Sequence, residues 1–214
     1  MSCAKIVKDL VRAGFREGDI LIKDEASDFD SPHSTDILQF KGSRISGYDF
    51  VFIRTHGFTG YHARKPKGEE IENTTILYSS TRYDKKTVKH LVDDGELQWS
   101  DVAISSLDEN EDGTFEYYLC MTPSFLDNTH YENSCIIITA CHSARILING
   151  NGGSMIQTFL DKNAGIVSGY TNTTYNALDI PLSKELVRLM SNGLSFQEAV
   201  LYLQNSEDVI SYSQ

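Results

Sequence analysis

Three short runs decide what this chain can fold into. "YDFVFI" at 48–53, "SCIIITA" at 134–140 and "GIVSGY" at 165–170 are apolar with little alternation. A strand with one wet face alternates apolar and polar side chains, whereas a continuous apolar run needs cover on both faces. Such strands belong to parallel sheets clad by helices. Helical patterns lie between and around them. Residues 5–17, "KKTVKHLVDDG", "GSMIQTFLDKNAG" and "IPLSKELVRLMSNG" read as helices, and "FQEAVLYLQ" follows a Ser195/Glu198 capping box. "DILIK" from Asp19 reads as a further strand, and residues 59–75 as a polar loop. "DVAISSLD" and "TFEYYLCMT" alternate on either side of "ENEDG", which predicts a hairpin. The order predicts an α/β fold: a three-layer α/β/α sandwich with a mainly parallel central sheet and an inserted β-hairpin, in one domain spanning 1–214.

Charge and cysteine usage narrow the function. The net charge of −11 repels a phosphate backbone, so nucleic acid is excluded as the expected partner, while a basic peptide is attracted. Cys3, Cys120, Cys135 and Cys141 show no zinc spacing, and the last three lie in or beside apolar runs, the pattern of buried thiols. His33, His62, His90 and His130 are scattered without metal spacing, and no cofactor is expected. "DENEDG" places Asp108, Asn110, Asp112 and Gly113 as a calcium loop would, but Leu119 stands where that loop needs a glutamate. No run approaches the ~18 apolar residues of a membrane span. The N-terminal segment lacks the apolar core of a signal peptide.

Two of the buried strands end in chemistry. "FVFIRTHG" stops on His56-Gly57 and "CIIITACHSA" on Cys141. Parallel neighbours present their carboxyl ends on one side of the sheet, where open α/β sheets bind ligands. A free thiol titrates near ~8.5 and needs a base or a cation beside it to act as a thiolate at neutral pH. Imidazole supplies that, giving an acyl-transfer nucleophile. The oxyanion then needs backbone N–H donors; Gly57, which allows close approach, and Cys141 itself are the candidates.

Taken in this order, strand–"THG", strand–"TACHSA" and "GGSMIQTFLDKNAGIVSGYTNTT" resemble the caspase-like (clan CD) cysteine peptidases, bacterial gingipain and clostripain types above all. The resemblance spans roughly residues 5–204 and includes "TPSFL" before the cysteine strand. It implies a caspase-like sandwich, a His56–Cys141 dyad and a peptide or protein substrate. It also implies cleavage after one strictly chosen residue, Arg or Lys being the first choice. The segment "YTNTTYNALDI" is expected to border that pocket, with Tyr170, Thr171 and Asp179 as substrate-binding residues. Asp179 equally suits a helix start before Pro181.

Two departures stand out. His142 follows the cysteine where relatives carry a small or acidic residue; it either faces solvent, caps the next segment, or tunes the thiolate. The first central strand of the relatives has no counterpart, so the chain is expected to be a piece of a longer protein, with that N-terminal segment as a further partner. An extracellular or cell-surface origin follows from the relatives. The competing readings are a non-catalytic caspase-like binding module and another Cys-His amide hydrolase.

Overall fold

The computed structural model describes residues 4–17, 36–59, 63–66, 68–71, 74–109, 113–126, 129–145, 153–173 and 176–205. The chain gathers into two compact units, Asp28–Thr173 and a second made of Met1–Ser27 with Thr174–Gln214. The expected strand from Asp19 and the hairpin tip at 110–112 lie outside the described residues.

The larger unit holds seven described strands. β1 (Phe50–Arg54), β6 (Cys135–Thr139) and β7 (Ile166–Ser168) form a parallel sheet in the order β1-β6-β7. β2 (Gly57–Thr59), β3 (Thr75–Arg82), β4 (Val102–Glu109) and β5 (Phe115–Met121) form an antiparallel sheet in the order β2-β3-β5-β4. The protein is therefore α/β, but parallel pairing is confined to three strands. The expected hairpin is real, as β4 and β5. It belongs to a second sheet instead of interrupting the first.

The link that sequence pattern missed is β3. "TILYSSTR" breaks its apolar run with Ser79 and Ser80, so its pattern is not that of a continuous buried strand. Both serines are nonetheless buried, and Ser79 donates its hydroxyl to the Leu119 carbonyl across the sheet at 2.8 Å. A buried hydroxyl with a backbone partner costs little, so the strand continues through it.

The second sheet is covered on both faces, and its alternation shows how. Leu77, Val102, Leu119 and Met121 join the main core, together with Val51, Ile53, Ile136 and Ile138 of the parallel sheet. Their neighbours Ile76, Tyr78, Ala103, Tyr118 and Cys120 point the other way into a smaller cluster with Ala63 and Ile71. Side chains of successive strand residues face opposite sides, so one strand serves two cores. α2 (Gly42–Ile45) is a single turn before β1; α3 (Lys85–Asp93) contributes Val88 to the main core, and α4 (Met155–Asp161) contributes Met155 and Phe159. Ser154 caps α4 by accepting from the Gln157 N–H. Tyr131 packs edge-on against Phe159 with ring centroids 4.9 Å apart. Such a pair adds about 1 kcal/mol beyond the area it buries.

The smaller unit is helical. α1 (Ala4–Arg12) packs on α5 (Asn176–Ser191), and α5 on α6 (Phe196–Gln204). Ile6 and Leu10 of α1 and Leu186, Val187 and Leu189 of α5 are buried. The Ser195/Glu198 capping box forms as its spacing predicts. Pro181 lies inside α5 instead of opening it, because the helix begins at Asn176.

Burial also sets the chemistry of two thiols. Desolvation raises Cys120 well above the ordinary thiol value and pushes Cys135 up to about 11. Tyr131 is raised for the same reason. These groups hold their protons more tightly folded than unfolded. The Cys135 contribution is complete below the unfolded value of 9.0 and is lost as pH climbs toward about 11. Urea midpoints should fall across that window, and less steeply in Cys120→Ala/Cys135→Ala. A midpoint independent of alkaline pH would contradict this account.

Candidate active site

The site begins with a register. β1 and β6 pair in parallel with Phe50 opposite Cys135 and Arg54 opposite Thr139. The Thr55 N–H extends the ladder by donating to the Thr139 carbonyl at 3.2 Å. Carried two residues past the last pair, the same offset matches His56 with Cys141. The two strands are neighbours, and their carboxyl ends lie on one side of the sheet.

His56 lies where the two sheets join. The Thr55 N–H bonds the parallel sheet, while its hydroxyl donates to the Tyr78 carbonyl of the antiparallel sheet at 2.7 Å. The Tyr78 N–H in turn donates to the His56 carbonyl at 2.9 Å. The His56 ring is exposed and stands edge-on to the Tyr78 ring, 6.3 Å between centroids at 84°. Tyr78 is buried, with its hydroxyl 2.8 Å from both the Ser105 hydroxyl and the Ser106 carbonyl. Tyr78 thus fixes His56 from below, through backbone and ring together.

Gly57 is required by close approach. A Cβ here would stand 2.6 Å from the Cys141 carbonyl oxygen, 3.0 Å from Ala140 Cβ and 3.1 Å from a Leu77 methyl. Only glycine admits that contact. The pairing of Gly57 with Leu77, flanked by the Tyr78 N–H to His56 carbonyl bond, makes it a narrow pair of the antiparallel ladder. Residues of a narrow pair turn their N–H groups away from the partner strand. The Gly57 N–H is therefore not consumed by β3, as an oxyanion donor requires.

Cys141 is half-buried and opens a turn, Cys141–Ala144. Ser143 organises that turn from inside: its hydroxyl donates to the Ile138 carbonyl at 3.2 Å and accepts from the Tyr170 N–H at 3.0 Å. The Ala144 N–H donates to the Tyr170 carbonyl at 2.9 Å. Gly169 makes room, since a Cβ there would lie 2.6 Å from the Ser143 hydroxyl. Arg145 closes the turn outward, its Nη1 3.2 Å from the Thr59 hydroxyl on β2.

The expected substrate residues divide. Tyr170 and Thr171 lie beside the Cys141 turn, but the Tyr170 N–H and carbonyl and the Thr171 carbonyl serve that turn. What they offer a ligand is side chain: Thr171 is exposed and Tyr170 half-buried. Asp179 falls in the first turn of α5, in the other unit, and its side chain lies outside what is described. His142 is half-buried, and its ring bonds the 171–173 segment. Tyr78 and Gly169 were missed from sequence. The glycine after "IVS" was the available signal, because a glycine just past a buried strand often marks close backbone contact.

Among the described residues, no group of three or more His, Cys, Asp or Glu gathers to hold a metal ion, and no helix is long and apolar enough to cross a membrane. Leu119, at the position a calcium loop would need a glutamate, is buried in β5. Compared with protein-family models, curated proteins and solved structures, the chain gives no match to any of the three.

The crowding at Gly57 makes a direct prediction. Gly57→Ala must displace the Cys141 carbonyl and should lower stability by about 1–3 kcal/mol in urea unfolding. Thr59→Ala, two residues on, removes only an exposed hydrogen bond and should stay within about 0.5 kcal/mol. Equal effects at the two positions would contradict the contact.

Proposed function

We propose that this protein is a cysteine endopeptidase of the caspase-like kind, with His56 and Cys141 as its dyad. The observation that carries the reading is the continued β1–β6 register, which matches an imidazole and a thiol just beyond two neighbouring strands. The glycine contact adds to it, since Gly57 meets the backbone of Cys141 itself. A core cysteine needs no histidine at its register-mate and no glycine against its carbonyl.

The chemistry follows from these groups. His56 takes the Cys141 proton, and the thiolate sulfur attacks the peptide carbonyl carbon. The carbonyl electron pair moves to oxygen, and the N–H groups of Gly57 and Cys141 stabilise that oxyanion. As the tetrahedral intermediate collapses, the C–N bond breaks and protonated His56 gives its proton to the leaving amine. A thioester remains on Cys141. Water, deprotonated by His56, attacks it through a second tetrahedral intermediate and releases the carboxylic acid and the thiol. Neither a metal nor an organic cofactor is needed for these steps. Cleavage after Arg or Lys is part of the proposal, favoured by the net charge of −11, which attracts basic peptides.

Peptide-library cleavage read by mass spectrometry tests this. Wild type should cut after Arg or Lys, and Cys141→Ala or His56→Ala should lose about 10³-fold or more in rate. Cuts that persist in Cys141→Ala, or a wild type that cuts nothing, would overturn the reading; the latter is the behaviour of a binding module.

A further inference from the structure

His142, directly after the nucleophile, has a φ of +56°, in the left-handed region that favours glycine and asparagine. That backbone turns its N–H onto the Asn172 carbonyl at 3.1 Å. It also sets the ring between two further residues of the same segment. Nδ1 lies 3.4 Å from the Thr171 carbonyl, and Nε2 lies 3.3 Å from the Thr173 hydroxyl. A carbonyl only accepts, so Nδ1 carries the proton. Nε2, at the other end of the ring, bonds the Thr173 hydroxyl.

The segment after β7 therefore has two separate anchors. Tyr170 is held by Ser143 and Ala144, through bonds that also hold the nucleophile turn. Thr171, Asn172 and Thr173 are held by His142 alone among the bonds described above. Their side chains are exposed beside Cys141's turn, so a peptide approaching the thiol meets them. Loss of the His142 ring leaves the Ser143 brace, and with it the turn that carries Cys141. It releases Thr171 and Thr173, while the backbone bond from His142 to Asn172 stays.

We propose that His142 is a positioning residue: its ring fixes Thr171 and Thr173 as a preformed wall of the peptide cleft, so that peptide recognition depends on it and thiol reactivity does not. The proposal rests on the peptidase reading above. Preformed walls raise affinity because the bound peptide need not order them.

Two electrophiles separate the roles. Iodoacetamide reports the Cys141 thiol alone. Tripeptidyl chloromethyl ketones ending in Arg, Lys, Asp or Asn must first occupy the cleft, and the fastest of these on wild type is used. His142→Gly, which suits the backbone, should slow the peptidyl reagent about tenfold while iodoacetamide stays within about twofold. His142→Asn tolerates the same φ and offers an amide N–H near the place of Nδ1; it should recover part of the loss. Thr173→Val should slow the peptidyl reagent about threefold, with no further loss when combined with His142→Gly, because both remove one contact. Equal slowing of both reagents, or of neither, would overturn the role of His142. A wild type on which no peptidyl reagent outpaces iodoacetamide would overturn the peptidase reading, and this inference with it.

Discussion

The parallel pairing of β1 with β6 is the constraint on which the rest depends. A strand register admits no gradual adjustment: a slip of one residue turns every side chain to the other face. Val51, Ile53, Ile136 and Ile138 all enter the main core, so the apolar pattern of both strands locks the offset. The same offset decides which residues meet beyond the strand ends. The position of His56 opposite Cys141 is thus a by-product of core packing, held by the burial of four aliphatic side chains. Their burial is worth roughly 1.5–3 kcal/mol each.

Beyond the strand ends, backbone contacts take over from side-chain packing. Thr55 ties β1 to both sheets, and Tyr78 holds the His56 carbonyl and supports its ring. Gly57 and Gly169 let the chain pass the turn at Cys141 at distances no other residue allows. Ser143 is buried at the centre of that turn with its hydroxyl both donating and accepting. Small residues here are a requirement of geometry. They also explain why the turn can stay rigid while its outer face, at Thr171–Thr173, remains open.

Much of this was legible in the sequence, and the parts that were not have physical reasons. The continuous runs at 50–54 and 135–139 named the two buried strands, and the residues that end them named the candidate dyad. The hairpin and the capping box followed from local rules that tertiary context did not override. β3 was illegible because two buried serines interrupt it, and Ser79 is satisfied by a partner distant in sequence, which periodicity cannot see. Without β3 the hairpin had no sheet to join, and it read as an insertion into the first. Tyr78 was hidden with it. His142 was recognised as unusual, but its partners arrive from a segment some thirty residues on, and the sequence held no sign of them.

The central claim is that register delivers an imidazole to the Cys141 thiol. The most direct measurement is the alkylation rate of Cys141 by iodoacetamide near neutral pH, in wild type and in His56→Ala. Cys135, whose thiol burial pushes up to about 11, serves as the slow internal reference. The account predicts that wild-type Cys141 reacts far faster than Cys135 and slows by about tenfold or more when His56 is removed. Equal Cys141 rates in the two proteins would contradict it, because the thiol would then owe nothing to the histidine that the register sets beside it.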